Sequence, residues 1–476
     1  MTSVATNAFA WALDYMSEWA PDDEEQRVAY DLWPGPVPVD GGEIAGGGAI
    51  AAAVAAQRAG ETTSRALVEQ ALAAIDGDND RLVGFVELTG EAALAEADAC
   101  DADLAAGVVR GPLHGVPISV KDVIHVRGVP TRSGSDAYER TPERDAWSVA
   151  RLREAGAVIM GKVSTHEFAL GVTSPQSRNP VDDTRIPGGS SGGSAVSVAT
   201  GMSMGSLCTD TRASSRVPAA LSGVVGFKPT YGSIPTRGVV PLSWTMDHVG
   251  MIAGTVGDAA LMMDVLQGRG GVAAAVGNGV DGLVLGLPDA AFEDVDAAVL
   301  AAVNSSIASL VDAGATTVAV TTPAESDFTG ANAGGLITSR CEAATFHRGI
   351  GTDRSLYWDE VRDQLDAADD VIALDYIHAQ RYRDWLRRRM LTVFDDFDAL
   401  VMPTVPTLAP PVEDAEDYLT ILSRNAILWS FVGFPAISVP AAYEAGALPV
   451  GLQVVGPPFS EPTLAAIAGV AESSRS

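Results

Sequence analysis

The sequence predicts a single α/β domain in which helices cover both faces of a central β-sheet. Strand-like and helix-like segments alternate along most of the 476 residues, an order typical of α/β folds. No stretch after about residue 45 has the composition of a linker between domains. Apolar residues make up 47% of the chain, which is enough for one large core. We therefore divide the chain into an N-terminal extension, residues 1–48, and one large domain, residues 49–476.

The N-terminal extension contains an apolar stripe that predicts a short helix. Its members are Phe9, Trp11, Leu13, Tyr15, Met16 and Trp19. We expect this helix to pack back on the core, with a dimer contact as the alternative, so the protein is expected to be a monomer or a homodimer. A charged segment over 22–26, followed by residues rich in Pro and Gly, predicts an irregular connection to the large domain.

Hydrophobic periodicity and turn residues predict the elements of the large domain in order. Thr63 or Ser64 is expected to cap a helix over 65–75, and an alanine-rich helix is expected over 90–105. The other predicted helices cover 145–156, 297–311, 359–397 and 463–472. One predicted strand is the apolar segment that ends near Lys121. The other predicted strands cover 82–88, 158–161, 283–287, 317–320, 400–403, 436–439 and 450–455. The strands over 436–439 and 450–455 are expected to pair as a hairpin.

Composition limits the partners that the protein can have. The net charge is −30, whereas phosphate contacts need a basic surface, so we expect no nucleic-acid partner. The cysteines, Cys100, Cys208 and Cys341, have neither zinc-site spacing nor a disulfide pattern, which favours the reducing cytoplasm. The chain has no apolar run of transmembrane length and no basic segment typical of a secretory signal. We expect no membrane partner, no metal and no cofactor.

Two hydroxyl-rich turns, residues 188–194 and 209–218, mark the predicted functional centre. Glycine lets backbone amides approach a ligand closely, and turns rich in such amides stabilise negative charge. Hydroxyl groups beside these amides point to acyl transfer, with a serine nucleophile next to an oxyanion hole. None of the six histidines sits in a pattern that marks a catalytic triad.

Lys121 is the candidate for the base that a serine nucleophile needs. Only three of the 31 lysine and arginine residues are lysines, and Lys121 ends a short apolar segment. Burial can lower the pKa of a lysine by up to ~3–5 units, and a neutral lysine can accept a proton. An ordinary lysine in an ion pair is the alternative interpretation.

The motifs resemble those of the amidase signature family, whose members are hydrolases with a Ser-Ser-Lys triad. The matching pieces are 115–122, 187–195, 209–219, 226–230, 247–250, 403–404, 433–440 and 449–453. Together they cover roughly residues 62–472. The resemblance implies that the sheet is large and mixed. It also implies cleavage of a C–N bond in an amide, anilide or carbamate through an acyl-enzyme.

The resemblance also implies roles for individual residues. The Ser-x-Arg-x-Pro spacing aligns Ser214, and not Ser215, with the nucleophile. Ser190 aligns with the bridging serine, which carries a cis peptide in this family, and Lys121 aligns with the general base. The expected oxyanion hole consists of the backbone amides of Thr211, Arg212, Ala213 and Ser214. Ser191, Asp210 and Arg216 are expected to support the nucleophile turn.

The chain departs from the family pattern beside the nucleophile. Arg212-Ala213 stands where the family usually has Gly-Gly, and Cys208 replaces a usual glycine. We expect at least one of Arg212 and Ala213 to have an ordinary negative φ. The Arg212 guanidinium should point away from Ser214 or line the mouth of the pocket. The loop over 172–178 is shorter than in many members, which opens the site to bulkier substrates.

Three functions remain open from the sequence. The first is a stand-alone hydrolase of a small-molecule amide or carbamate, favoured by the extra N-terminal segment and the acidity of the chain. The second is the glutaminase-type subunit of a tRNA-dependent amidotransferase. The third is a catalytically impaired member that only binds its ligand, an interpretation motivated by Arg212-Ala213. The joint presence of Lys121, Ser190 and Ser214 argues against it.

Overall fold

The computed structural model describes residues 4–18, 47–442 and 446–474. The helices are α1 (Val4–Glu18), α2 (Ala49–Ala59), α3 (Ser64–Leu82), α4 (Gly90–Ala105), α5 (Trp147–Glu154), α6 (Gly192–Ala199), α7 (Arg216–Ser222), α8 (Val256–Gln267), α9 (Val272–Ala275), α10 (Ala297–Asp312), α11 (Glu325–Ile350), α12 (Asp359–Asp369), α13 (Ala373–Val393), α14 (Ile427–Phe431) and α15 (Glu461–Ser473). The strands are β1 (Phe85–Leu88), β2 (Pro117–Lys121), β3 (Val158–Val163), β4 (Gly205–Asp210), β5 (Val225–Lys228), β6 (His248–Ala253), β7 (Val284–Pro288), β8 (Thr316–Val320), β9 (Ala399–Pro403), β10 (Ala436–Pro440) and β11 (Gly451–Val455).

One sheet of 11 strands runs through the molecule. Its strand order is β1-β3-β2-β4-β6-β5-β10-β11-β9-β7-β8. Strand β2 is parallel to both β3 and β4, and β7 is parallel to both β8 and β9. Neighbouring strands are antiparallel along the run β4-β6-β5-β10-β11-β9. Strand β1 is also antiparallel to β3. The predicted single α/β domain with a mixed sheet is therefore confirmed.

Helices lie on both faces of the sheet, as β9 illustrates. Successive side chains of a strand point to opposite faces. Ala399 and Val401 belong to a core cluster that includes residues of α10 and α15. Leu400 and Met402 belong to a second cluster, formed with residues of α11, α13 and α14. The sheet thus has an apolar layer of helices on each side.

Several predicted elements are confirmed, and three are wrong at their boundaries: the helix over 65–75, the strand over 82–88 and the helix over 359–397. Thr63 caps α3, with its hydroxyl accepting from the Ala66 amide at 3.0 Å, and β10 pairs with β11 as the predicted hairpin. The strand expected over 82–88 is shorter, because α3 continues to Leu82 and the chain turns at Val83. The helix expected over 359–397 is two helices, and no Gly or Pro marks the break at 370–372.

Helix α1 packs on the large domain along α11. Phe9, Ala12 and Met16 are buried, and the Tyr15 hydroxyl donates to the Ser326 carbonyl at 3.1 Å. Trp19, assigned to the same apolar stripe, lies outside the described residues. The boundary after residue 48 stays a prediction. Among the described helices, none combines the length and the apolar character needed to cross a membrane.

Candidate active site

The turn between β4 and α7 carries the predicted nucleophile. Ser214 is 2% exposed and lines a cavity. Ser215, next in the chain, is fully buried, and its hydroxyl donates to Asp210 Oδ2 at 2.7 Å. The hydroxyl of Ser215 is thus held by a carboxylate, whereas Ser214 faces the cavity. The assignment of Ser214 as the nucleophile stays a prediction.

A buried ion pair spans the nucleophile turn. Arg216 Nε lies 3.0 Å from Asp210 Oδ2, and Arg216 Nη2 lies 3.1 Å from Asp210 Oδ1. Both side chains are fully buried. Arg216 also donates to Gln453 Oε1 at 2.7 Å and to Ser430 Oγ at 2.7 Å. The planar guanidinium therefore links the two ends of the turn to β11 and α14.

The four residues before Ser215 offer a set of free backbone amides. Among the residues that the structure describes, nothing accepts a hydrogen bond from the amides of Thr211, Arg212, Ala213 and Ser214. Neither Arg212 nor Ala213 has a positive φ, as expected from the sequence. Unpaired buried amides are rare in proteins, and successive free amides form a concavity suited to an anion.

Asp247 anchors the start of this turn. Its Oδ1 accepts from the Thr211 hydroxyl at 2.6 Å and from the Ser243 amide at 3.0 Å, and its Oδ2 accepts from the Leu242 amide at 3.1 Å. Burial raises the pKa of this carboxyl to about 7, although these hydrogen bonds oppose the shift. Asp247 belongs to a motif that the sequence analysis matched, but the analysis gave it no role.

Lys121 lies at the end of β2, where the strand brings it beside the turn that precedes α6. Its Nζ donates to Ser190 Oγ at 2.7 Å and to Thr209 Oγ1 at 2.9 Å. The Gly189–Ser190 peptide is cis, as the resemblance implies. The Ser190 carbonyl accepts from the His166 amide and from Ser174 Oγ, both at 3.0 Å. Ser190 is therefore held by its backbone with its hydroxyl directed at Lys121.

Burial lowers the pKa of Lys121 to about 8. Loss of hydration is the largest cause, and the charges of Cys208, Asp210 and Asp247 oppose it. Lys162, another buried lysine, differs because it pairs with Asp122 at 2.8 Å. Lys121 has hydroxyl partners instead, so it can lose its proton near neutral pH.

The structure brings two of the three predicted catalytic residues into hydrogen-bond contact. Within the described residues, Ser214 Oγ makes no hydrogen bond to Ser190. Catalytic hydrogen bonds are often long in unliganded sites and shorten when substrate binds. Ser191, expected to support the turn, donates from Oγ to the Thr209 carbonyl at 3.3 Å.

The cavity above Ser214 has walls that the sequence analysis did not assign to the site. Apolar side chains form most of the lining: Phe9, Leu170, Val172, Leu242, Leu336 and Leu419. Arg212, Arg340 and Glu360 are its charged residues. Phe9 belongs to the apolar stripe expected to pack on the core, so only its contact with the site was missed. Arg340 and Glu360 lie in helices far along the chain, and no local pattern marks them.

Comparison with known proteins places the chain among amide-bond hydrolases. The family model described as Amidase matches residues 66–465. The chain is 36% identical over 458 residues to the A subunit of the glutamyl-tRNA(Gln) amidotransferase of Chloroflexus aggregans, covering 87% of this chain and 94% of that protein. It is 35% identical over 431 residues to an amidase of Pseudomonas putida, covering 86% and 91%.

Solved structures give the same result. A crystal structure of an amidase matches with a TM-score of 0.81 and 35% identity, covering 89% of this chain and 98% of the other. The native peptide amidase of Stenotrophomonas maltophilia matches with a TM-score of 0.78 and 28% identity, covering 89% and 96%. The motifs, the fold and both comparisons agree, and the chain belongs to the amidase signature family.

Proposed function

We propose that the protein is a stand-alone hydrolase that cleaves a C–N bond of a small-molecule amide, anilide or carbamate. The single observation that carries the proposal is the buried Lys121, which is hydrogen-bonded to Ser190 at 2.7 Å next to the turn of free amides. Ser214 opens from this turn into the cavity. These groups correspond to a base, a proton carrier, an oxyanion hole and a nucleophile.

The first half of the proposed reaction forms the acyl-enzyme. Neutral Lys121 takes a proton from Ser190, which takes one from Ser214, whose oxygen attacks the substrate carbonyl. The amides of residues 211–214 stabilise the oxyanion of the tetrahedral intermediate. The C–N bond then breaks, and the relay returns the proton through Ser190 to the leaving nitrogen. Ser214 is left as an ester of the substrate's acyl group.

The second half releases the acid. A water molecule gives a proton to the relay and attacks the ester carbonyl, and the same amides stabilise the second oxyanion. The ester bond to Ser214 breaks, its oxygen takes the proton back, and the free acid leaves. When the substrate is a carbamate, breaking its C–N bond leaves an alkoxycarbonyl group on Ser214, and water releases it as a carbonic acid monoester. Rotation of the Ser214 side chain toward Ser190 on substrate binding completes the relay.

A second candidate function is the glutaminase-type subunit of a tRNA-dependent amidotransferase. The observation that favours it is the 36% identity to the C. aggregans amidotransferase protein. The identity to the P. putida amidase is 35%, so sequence identity does not separate the two candidates. Purification from the native host distinguishes the two candidates. A stoichiometric protein partner, together with glutamine hydrolysis that depends on it, would favour the amidotransferase.

The test of hydrolysis uses chromogenic anilides and carbamates of graded acyl length, with Ser214→Ala as the matched control. We expect the native chain alone to release the amine and the control to release none above background. Failure of the isolated native chain on every substrate would contradict a stand-alone hydrolase.

We further propose that the protein works in the cytoplasm as a monomer or a homodimer. The proposal rests on the cysteines, of which Cys100 and Cys208 are buried as free thiols, and on the packing of α1 against its own core. Sedimentation at working concentration tests the oligomeric state.

A further inference from the structure

Two arginines in the wall of the Ser214 cavity have no carboxylate partner. Arg212 is 7% exposed and Arg340 is 4% exposed. Over the described part of the chain, no ion pair joins either guanidinium to a carboxylate, the charge of Glu360 acts on Arg340 only from a distance, and neither Nε has a hydrogen-bond acceptor. Buried charges are normally paired, because an unpaired ion loses its hydration without compensation.

The contacts that these arginines do make are with neutral groups. Arg212 Nη2 donates to Asn332 Oδ1, and Arg340 Nη1 donates to Ser339 Oγ at 3.2 Å. Asn332, Ser339 and Arg340 all belong to α11, which lies across the cavity from the nucleophile turn. Arg216, by contrast, is buried nearby with two contacts to Asp210. The chain thus pairs one arginine of this region and leaves two available.

The cavity has a net positive lining in a strongly acidic protein. Its charged residues are Arg212, Arg340 and Glu360, so one carboxyl faces two guanidinium groups. Glu360 Oε1 accepts from Gln364 Nε2 at 3.1 Å and lies 3.7 Å from His166 Nε2. The net charge of the whole chain is −30, which repels anions at long range. Attraction of an anion must therefore come from groups inside the cavity.

We propose that Arg212 and Arg340 form a subsite for a carboxylate carried by the substrate, separated from the scissile amide by an apolar spacer. This inference rests on the proposed function and names its substrate class. Guanidinium binds carboxylate through paired, charge-assisted hydrogen bonds. The apolar lining suits the spacer. The substrate class is therefore the half-amides of apolar dicarboxylic acids, or amides with an equivalent acidic group.

The test measures binding without turnover. Ser214→Ala protein is titrated calorimetrically with half-amides of straight-chain dicarboxylic acids of graded length, and with the neutral diamides of the same lengths. We expect the half-amide to bind at least tenfold more tightly than the diamide at one or more lengths. Equal affinity at every length, or tighter binding of the diamides, would overturn the inference.

Substitutions then locate the subsite. Arg212→Gln and Arg340→Gln, each combined with Ser214→Ala, should reduce the preference for the half-amide to less than about threefold, while Arg340→Lys should retain part of it. Arg348→Gln removes one charge from α11 at a side chain that is 72% exposed, and should leave the preference unchanged. Thermal unfolding identifies variants that fail to fold. A preference that survives both Gln substitutions in folded protein would overturn the assignment.

The outcome is distinguishable from failure of the proposed function. Hydrolysis of neutral anilides by the native chain, with no carboxylate preference in Ser214→Ala, would reject the subsite alone. A clear carboxylate preference with no hydrolysis of any half-amide would reject the proposed function and leave an anion-binding cavity.

Discussion

Lys121 Nζ lies 2.7 Å from Ser190 Oγ, and both side chains are fully buried. Burial lowers the pKa of the lysine to about 8, so the fraction of neutral base rises about tenfold per pH unit below that value and levels off above it. We expect kcat/KM to follow this curve, rising with pH to an alkaline plateau. The measurement is a pH profile with a substrate that does not itself titrate.

Two variants control this experiment. Lys121→Met should lose activity at every accessible pH, because no base remains. Lys162→Met removes another buried lysine, which pairs with Asp122, and any residual activity should keep the inflection near pH 8. A profile that is flat through this range, or that persists in Lys121→Met, would contradict the assignment of the base.

The Asp210–Arg216 pair yields a prediction about stability. Asp210→Asn leaves the buried Arg216 charge without its counter-ion, which should lower the free energy of unfolding by about 3–5 kcal/mol. Arg65→Gln removes exposed ion pairs with Glu69 and Asp98 and should lower the free energy of unfolding much less. Denaturant unfolding of both variants measures the difference. Equal costs would show that the buried pair does not stabilise the turn.

Phe9 connects the N-terminal helix to the Ser214 cavity. It is 4% exposed and lines the Ser214 cavity, so Phe9→Ala should weaken contacts with a long acyl chain. We expect the ratio of kcat/KM for long against short acyl groups to fall roughly tenfold. Trp11→Ala is the matched control, because Trp11 lies on the same helix but faces a different cavity. An unchanged chain-length profile in Phe9→Ala would contradict this role.

The residues before the nucleophile allow a test of the oxyanion hole. Arg212 and Ala213 have negative φ, and their amides are free, so glycine is not required for this conformation. Arg212→Gly combined with Ala213→Gly should therefore gain less than about tenfold in kcat on a neutral substrate. A gain near the ~100- to 1000-fold value of one oxyanion donor would mean that the native hole is incomplete. That result would favour the catalytically impaired member.

Local patterns predicted much of this fold. Helix 90–105 and the cap at Thr63 depend on nearby residues, and both agree with the structure. The break between α12 and α13 could not be predicted, because residues 370–372 lack Gly and Pro and Val371 turns to pack on the core. The end of α3 was missed because Asp and Asn residues, typical of turns, continue the helix instead.

The site, like the fold, could be predicted from the sequence only in part. The motifs located Lys121, Ser190 and the nucleophile turn because short-range spacing defines them. Phe9, Arg340 and Glu360 come from three separate helices, and only tertiary packing brings them to one cavity. Sequence spacing therefore indicated the proposed catalytic residues, whereas the walls of the cavity required the fold.

The nucleophile is the centre of the proposed function. Ser214 lines the cavity, while Ser215 has its hydroxyl held 2.7 Å from Asp210 Oδ2. We expect Ser214→Ala to abolish turnover and to unfold at nearly the native temperature. Ser215→Ala should retain turnover but lose stability, because Asp210 loses a hydrogen-bond donor.

The most direct measurement is mass spectrometry of the native chain after reaction with a serine-directed fluorophosphonate, followed by peptide mapping. The account predicts one covalent adduct, on Ser214, that forms more slowly at low pH and is absent from Ser214→Ala. An adduct on Ser215, or no adduct in protein that hydrolyses amides, would contradict the assignment of Ser214 as the nucleophile.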